Sequence, residues 1–165
     1  MLRVLSVAFA FVFSAAVTAQ ADSVYNNVAS EIEGYKEIDV LFSDEAAKCK
    51  LADAAVYEQR VRDKFADMGI KDNPDSIAFV TLGVTAFPYT ASTCVANVDL
   101  QFRVWMTPAD MGQAEAVQYV DAYEKFPVII YRQALLLARP VDVMGHFVGT
   151  TIDRLADDFK TKRAR

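Results

Sequence analysis

Two cysteines and one histidine are the residues in this sequence whose chemistry is easiest to test by spacing. Cys49 and Cys94 lie 45 positions apart, and His146 is the only imidazole. Structural zinc sites use four cysteine or histidine ligands, and dithiol redox sites place their cysteines close together, as in C-x-x-C. The sequence therefore favours a disulfide between Cys49 and Cys94 over a metal or redox centre. Two free thiols are the alternative.

Motifs of nucleophilic, metal or nucleotide chemistry are absent from the sequence. It contains no G-x-S-x-G, no H-E-x-x-H, no phosphate loop and no dinucleotide fingerprint. A Ser-His-Asp triad would need His146, which is expected on the solvent side of its helix. The pairs Asp44-Glu45 and Asp157-Asp158 have the character of solvated surface, whereas acid–base catalysis needs a carboxyl in a desolvated cleft. We predict no catalytic residue, metal or cofactor, and keep a carboxylate-based hydrolase as an alternative.

The first 21 residues have the pattern of a secretory signal peptide. Arg3 precedes the apolar run Val4–Val17, and Ala19-Gln20-Ala21 is a small-x-small cleavage site. The run is shorter than the roughly 20 residues that a transmembrane helix needs. We expect a signal peptide at 1–21, one domain over 22–165, and a periplasmic or secreted chain with no membrane span. An uncleaved membrane anchor is the alternative.

The charge of the chain argues against a nucleic-acid partner. The formal net charge is −5, and the basic residues cluster only at the C-terminal KTKRAR. Sequence-independent binding of nucleic acids needs clustered positive charge. Cations at the end of a helix also complement the helix dipole, which is our interpretation of this cluster.

The clearest strand of the sequence is Cys94–Trp105, CVANVDLQFRVW. Its apolar side chains alternate with more polar ones, so even-numbered positions form a buried face and odd-numbered positions a wetter face. Further strands are predicted at 37–43, 76–85 and 128–138. The last of these is apolar on both sides, so its buried face is not apparent from the pattern.

Two amphipathic helices are predicted to cover this sheet. The first follows Asp53, an expected N-cap, and ends at Gly69, which tolerates the left-handed conformation after a helix. The second follows Pro140, and Gly145 and Gly149 would let its backbone approach a neighbour closely. A short helix is also predicted over 24–33. The order α-β-α-β-β-β-α predicts an α+β two-layer sandwich, with two main helices on one face of a mostly antiparallel four-stranded sheet.

The order of these motifs resembles a family of small exported bacterial proteins of uncharacterised function. The matching segments are AAKCKL at 46–51, DMGI at 67–70, VANVDLQF at 95–102 and IDRLADDF at 152–159. The sequence departs from the family pattern at Lys50, where glycine is usual, and near Asp53, where a threonine cap is common. The resemblance implies export and this fold, and it implies no activity.

The segment 106–127 separates two strands that a hairpin of two to five residues could join. Long connections in compact domains are often functional, and aromatic side chains are enriched in interface cores. We therefore predict a non-catalytic periplasmic accessory protein that binds an envelope partner through the wetter sheet face and this segment. The predicted contact residues are Arg103, Trp105, Tyr119, Tyr123 and Phe126. The alternatives are a carrier of a small apolar ligand, and a short helix that merely covers the sheet.

The predicted disulfide can be tested by counting thiols. We expect no titratable thiol in the folded exported protein and two after reduction under denaturing conditions, because both cysteines would be bonded. A thiol-reactive chromophore measures this count directly. Two free thiols in the absence of reductant would contradict both the pairing and the oxidising compartment.

Overall fold

A computed structural model of the chain describes residues 32–43, 45–108, 110 and 124–163. The predicted signal peptide at 1–21 lies outside these residues. Of the short helix predicted over 24–33, only Ile32 and Glu33 are described, and neither of them is helical. The described elements, in chain order, are β1 Gly34–Tyr35, β2 Ile38–Phe42, the 3-10 turn Ala46–Cys49, α1 Ala54–Asp67, β3 Lys71–Asp72, β4 Ala78–Pro88, β5 Thr93–Met106, β6 Phe126–Pro140 and α2 Val141–Arg163.

The main sheet has four strands in the order β2-β4-β5-β6. β2 is parallel to β4, and the pairs β4–β5 and β5–β6 are antiparallel. A separate parallel pair joins β1 to β3. The predicted α+β sandwich with a mostly antiparallel four-stranded sheet is confirmed. Strands β4, β5 and β6 are longer than predicted, because their ladder continues from Ala78 to Pro88 and from Phe126 to Pro140, whereas β2 is one residue shorter at each end than the predicted 37–43.

The core lies between one face of this sheet and the two helices. On β5, every even-numbered residue from Cys94 to Val104 is at most 1% exposed. Helix α1 buries Tyr57, Val61 and Phe65 against this face, and α2 contributes a longer stripe. The ring of Phe102 stacks on Phe159 with centroids 4.9 Å apart, and Phe65 packs beside both rings. Such aromatic contacts stabilise a core beyond the area that they bury.

A disulfide joins Cys49, at the end of the 3-10 turn, to Cys94 on β5. The two Cα atoms are 5.9 Å apart, and both residues are fully buried. The bond ties the segment before α1 to the central strand that α1 covers. Because the closed loop spans 45 positions, the crosslink lowers the entropy of the unfolded chain. In the loop-closure model this stabilises the fold by about 4 kcal/mol.

The two glycines of α2 lie against Lys50 and Arg60, and of the two only Gly149 is at a position where an added side chain would be crowded. A Cβ built on Gly145 would lie 3.5 Å from the Lys50 carbonyl oxygen, and one on Gly149 would lie 3.0 Å from the Arg60 guanidinium. Arg60 in turn donates two hydrogen bonds to Asp153 on α2, at 2.8 and 2.6 Å. The small residue at 149 therefore leaves room for an ion pair that joins the two helices.

The predicted cap at Asp53 is wrong in its detail. Asp53 occupies the N-cap position of α1 with extended backbone, but its side chain makes no capping hydrogen bond. Its carboxylate is exposed and is therefore solvated by water. The neighbouring Ala52 N–H donates instead to the Tyr57 hydroxyl, at 3.3 Å.

Two tyrosines, Tyr131 on β6 and Tyr35 on β1, are buried in the core. The Tyr131 hydroxyl on β6 donates to the Leu155 carbonyl oxygen of α2 at 2.8 Å. Burial raises the pKa of Tyr131 above its usual value, with a smaller contribution from the Asp158 carboxylate. Burial, followed by the nearby Asp72 charge, raises the pKa of Tyr35 to about 12. Both hydroxyls therefore stay protonated well above neutral pH, and the Tyr131 hydroxyl keeps its role as a donor to α2.

Lys50 follows the 3-10 turn in the left-handed conformation, with φ of 53° and ψ of 35°. Among the described residues it is the only one other than glycine with positive φ. A side chain in this region costs about 1–2 kcal/mol, which glycine avoids. Glycine at position 50 would adopt this conformation without that cost.

We expect Lys50→Gly to raise the free energy of unfolding by about 0.5–1 kcal/mol, because the release of strain exceeds the extra entropy of an unfolded glycine. Urea unfolding followed by far-ultraviolet circular dichroism measures this change.

The matched control is Lys48→Gly. Lys50 is exposed and contacts the carboxylate of Asp142. Lys48 is exposed as well and contacts that of Glu45, but it has no positive φ. Glycine there should lower the free energy of unfolding. A change of the same sign in both variants would contradict a strained backbone at Lys50.

Candidate interaction surface

The second face of the four-stranded sheet points away from α1 and α2, and we call it the open face. It consists of the odd-numbered residues of β4 and β5 and of their register partners on β2 and β6. No described helix packs on it. The pairing arranges its side chains in rows across the strands. From one end to the other the rows include Phe87·Val95·Ala138, Thr85·Asn97·Leu136, Leu41·Gly83·Asp99·Ala134, Asp39·Thr81·Gln101·Arg132, Phe79·Arg103·Ile129 and Trp105·Pro127.

One end of the open face is built on an aromatic pair. The Trp105 ring lies 5.7 Å from the ring of Phe79 on β4, and the Trp105 backbone N–H donates to the Ile77 carbonyl oxygen at 2.9 Å. Trp105 is 40% exposed, and Ile129 beside it on β6 is 43% exposed. The indole is thus held in place by its neighbour and its backbone while one side stays accessible.

The centre of the open face is a line of hydrogen-bonded polar side chains. Arg103 Nε donates to Gln101 at 3.0 Å, and Gln101 Nε2 donates to Asp99 at 2.9 Å. Asp99 also accepts from Arg132 on β6, at 2.9 Å and 3.1 Å. The Asp99 carboxylate raises the pKa of Arg132 through this hydrogen bond and through its charge. These hydrogen bonds therefore hold Arg103, Gln101 and Asp99 of β5 to one another, and they hold Asp99 to β6.

The far end of the open face is apolar again, near the hairpin between β4 and β5. Phe87 is 46% exposed there, and Leu136 on β6 is 74% exposed. Val95 and Ala138 lie in the same row as Phe87. Leu41, on the edge strand β2, adds a further exposed apolar side chain. The open face therefore presents two apolar ends separated by a polar centre.

Of the five predicted contact residues, the structure places two on the open face. Arg103 and Trp105 lie there, and the Arg103 guanidinium carbon is 5.8 Å from the Phe79 ring centroid. Phe126 pairs with Met106 and packs against the buried core, so it lies on the opposite side of the sheet. Tyr119 and Tyr123 lie outside the described residues.

Phe79, Phe87, Asp99, Arg132 and Leu136 belong to the open face, although the sequence reasoning did not select them. The period of two on β4 was a usable signal for Phe79 and Phe87. Asp99 and Arg132 are 33 positions apart in the sequence and become adjacent only through the register of β5 and β6. No local sequence pattern encodes this register.

The segment 106–127 begins with a reciprocal pair of hydrogen bonds. The Thr107 N–H and hydroxyl donate to the Asp110 carboxylate at 2.7 and 2.8 Å, and the Asp110 N–H donates back to the Thr107 hydroxyl at 3.1 Å. This is the pattern of a capping box. The Thr107 N–H holds the pKa of Asp110 below its usual value. The short helix predicted as an alternative for this segment falls largely on residues 109 and 111–123, which lie outside the described residues.

A cavity of about 350 Å³ lies where β1 meets the start of β4, away from the centre of the open face. Its lining includes Glu33, Asn73 and Asp75 together with Ile32 and Ile77. Polar and apolar side chains thus share the lining of this cavity. The apolar site that the sequence suggested as an alternative would involve segment 106–127, most of which lies outside the described residues.

The described part of the chain offers neither a cluster of metal ligands nor a membrane span. Within residues 32–43, 45–108, 110 and 124–163, no three His, Cys, Asp or Glu side chains are grouped as metal ligands would be. In those same ranges, no helix combines the length and the apolar character that crossing a bilayer requires.

Comparisons with known proteins give no family assignment. No model of a protein family matches the chain, and no curated protein matches it. A solved structure of rare lipoprotein B from Shewanella oneidensis is similar at 13% identity and a TM-score of 0.35, over 78% of this chain and 93% of that chain. A minor lipoprotein from Acinetobacter baumannii is similar at 9% identity and a TM-score of 0.31, over 78% and 91%. At these TM-scores the similarities support no conclusion, and the resemblance to small exported proteins stays a prediction.

We expect a double-mutant cycle on Asp99→Ala and Arg132→Ala to give a coupling energy of about 1 kcal/mol. Asp99 is 12% exposed and Arg132 59% exposed, so solvent weakens the pair only in part. The free energies of unfolding in urea provide the cycle.

The control cycle uses Glu45→Ala and Lys48→Ala, an ion pair whose members are 50% and 61% exposed. Its coupling energy should be close to zero. Equal coupling in the two cycles would show that the line of polar side chains does not fix the centre of the open face.

Proposed function

We propose that this chain is an exported, non-catalytic accessory protein of the bacterial envelope that binds another envelope protein through its open face. The observation that supports the proposal is the distribution of exposed apolar side chains on this face. Trp105 and Ile129 lie at one end and Phe87 and Leu136 at the other. Soluble proteins rarely expose apolar clusters of this kind unless a partner covers them.

A protein partner fits this surface better than a small molecule does. Small apolar ligands need a concave site that buries most of their surface. The open face is instead the side of a sheet, with apolar clusters at both ends and the Asp99–Arg132 pair at the centre. Interfaces between proteins commonly combine aromatic anchors with a hydrogen-bonded polar region of this type.

Export is supported by the sequence and by the cysteines. The first 21 residues have the pattern of a signal peptide, and disulfides persist in oxidising compartments. The Cys49–Cys94 bond is buried in the core, so the fold includes it as a structural element. We therefore propose a periplasmic or secreted location.

A binding role without catalysis is supported by the surroundings of the carboxylates. Asp157, one of the residues considered for a hydrolase, is exposed and pairs with Lys64 at 3.5 Å. A general acid or base needs a desolvated site that tunes its pKa to the working pH. The segment 106–127, with Tyr119 and Tyr123, remains in this proposal as a second contact region.

Crosslinking in intact cells tests the proposal. A photoreactive residue placed at Trp105 or Phe87 should give an adduct with one discrete envelope protein, which mass spectrometry identifies. The matched control is Val56 on α1, which is apolar and 56% exposed but lies in the helix layer. We expect no such adduct from Val56.

The affinity of this protein for the purified crosslinked partner then decides whether the contact is specific. We expect Trp105→Ala and Phe87→Ser to weaken binding by about tenfold or more, the effect typical of an interface anchor, and Val56→Ala to leave it unchanged. The same adducts from all three positions, or affinities that are insensitive to Trp105 and Phe87, would overturn the proposal. A lipid adduct from Trp105 would instead favour the carrier of a small apolar ligand.

A further inference from the structure

Strand β6 forms one edge of the four-stranded sheet, and among the described elements it pairs only with β5. It runs for 15 residues, from Phe126 to Pro140. The opposite edge strand, β2, has only five residues and includes Asp39. Natural proteins blunt edge strands by shortness, charge, proline or bulges, because an open edge is a template for another strand.

The direction of the β6 backbone groups follows from the hydrogen bonds at the ends of the ladders. Trp105 N–H donates to the Ile77 carbonyl oxygen and Tyr89 N–H to that of Thr93, so odd-numbered β5 residues bond to β4. Antiparallel strands alternate between the two sides, and even-numbered β5 residues therefore bond to β6. The Val141 N–H, which donates to the Ser92 carbonyl oxygen, continues the same alternation.

The register of β5 and β6 then identifies the groups at the free edge. Even-numbered β5 residues from Cys94 to Phe102 pair with odd-numbered β6 residues from Arg139 to Tyr131. The N–H and C=O groups of the intervening β6 residues point away from β5. These residues are Arg132, Ala134, Leu136 and Ala138, whose side chains also lie on the open face.

The two ends of β6 have features that oppose pairing with another strand, and its middle does not. Pro127 and Pro140 cannot donate hydrogen bonds, and the register shift opposite Phe102 and Arg103 leaves Ile130 as a bulge. Between them, 132–138 contains no proline, no lysine and no register shift. Its single charged side chain, Arg132, is paired with Asp99.

We propose that residues 132–138 of β6 pair antiparallel with the same residues of a second copy of this chain, joining two sheets into one. A two-fold axis at Leu135 places Arg132 opposite Ala138 of the second copy and Ala134 opposite Leu136. All four outward residues of each copy then exchange backbone hydrogen bonds. The Ala138 carbonyl oxygen already accepts from Arg139 Nη1 at 2.9 Å, and its second lone pair accepts the bond from the other copy. This register includes every residue of the segment 132–138, which we call the unprotected window.

The side chains of this window are complementary to themselves. Leu136, 74% exposed, meets the small Ala134 on the open face, and Leu135 meets itself on the helix side. Arg132 faces an alanine rather than a second arginine. Because Asp99 already neutralises Arg132, the window offers no unpaired charge to select a charged foreign strand, and this favours a second copy as its occupant.

The oligomeric state in solution tests this inference. One strand pair is a small interface, so sedimentation velocity of the exported chain from about 1 μM to about 1 mM should show a concentration-dependent dimer. Leu136→Lys should weaken this dimer by about tenfold or more, because a lysine on an edge strand opposes pairing. Leu136→Pro, which removes only an outward N–H, should act in the same direction.

Leu41→Lys is the matched control, since Leu41 is also an exposed leucine of the open face but lies on β2. It should leave the dimer unchanged. A chain that stays monomeric throughout this range, or equal weakening by Leu41→Lys and Leu136→Lys, would overturn the inference. Either result would leave the adducts from Trp105 and Phe87 unaffected, so it would not decide the proposed function.

A single cysteine tests the register. Leu135→Cys should form an intermolecular disulfide, since a residue on the axis faces itself at a Cα distance of about 4.5 Å. Gln133→Cys should not, because it would face Leu137. Crosslinking of both variants to the same extent, or of Gln133→Cys alone, would contradict a two-fold axis at Leu135.

Discussion

The structure depends on the alternation of buried and outward-facing side chains along strand β5. This strand has a neighbouring strand on each side and helices on one face. Its even-numbered side chains are buried under α1 and α2, and its odd-numbered side chains form the open face. The same period assigns its backbone groups in turn to β4 and β6. A shift of one residue would exchange the two faces, expelling Cys94 and Phe102 from the core. The disulfide to Cys49 and the stack of Phe102 on Phe159 oppose such a shift.

As a result of this arrangement, the two faces of the sheet differ. One face is closed by two helices that are joined by the Arg60–Asp153 pair, for which Gly149 leaves room, whereas no described helix closes the other. The open face has its own order, since the line from Arg103 through Gln101 to Asp99 and Arg132 fixes its centre. A surface that is both apolar at its ends and held rigid at its centre loses little entropy on binding. This combination favours a role in recognition.

Much of the fold was predictable because burial and periodicity are local signals. The alternation of β5 and the stripe of α1 followed from residue spacing, and the end of α1 just before Gly69 followed from the residue type. The number and spacing of the cysteines predicted their pairing. The capping role of Asp53 was wrong, because an exposed carboxylate has water as a competing partner. The pattern T-x-x-D at Thr107–Asp110 is a local signal of a capping box that the sequence reasoning passed over.

The candidate surface was less predictable, because it depends on which strands become neighbours. Trp105 and Arg103 were selected from their position on β5, but Phe126 lies on the core side, where its pairing with Met106 places it. The ion pair of Asp99 with Arg132, and the edge of β6 that no described strand covers, arise only from strand order and register. The strands of the pairs β4–β5 and β5–β6 are consecutive in sequence, whereas the lateral position of β2 and the edge position of β6 in the described sheet are not local properties.

The central claim is that the open face is where this protein meets its partner. Trp105 is the only tryptophan of the chain, so fluorine NMR of fluorotryptophan-labelled protein gives a single resonance from this face. We predict that an envelope extract shifts or broadens this resonance. Excess unlabelled wild-type chain should restore it, whereas excess unlabelled Phe87→Ser chain should not. A resonance that stays sharp and unshifted in the extract, or equal competition by the two unlabelled chains, would contradict the claim.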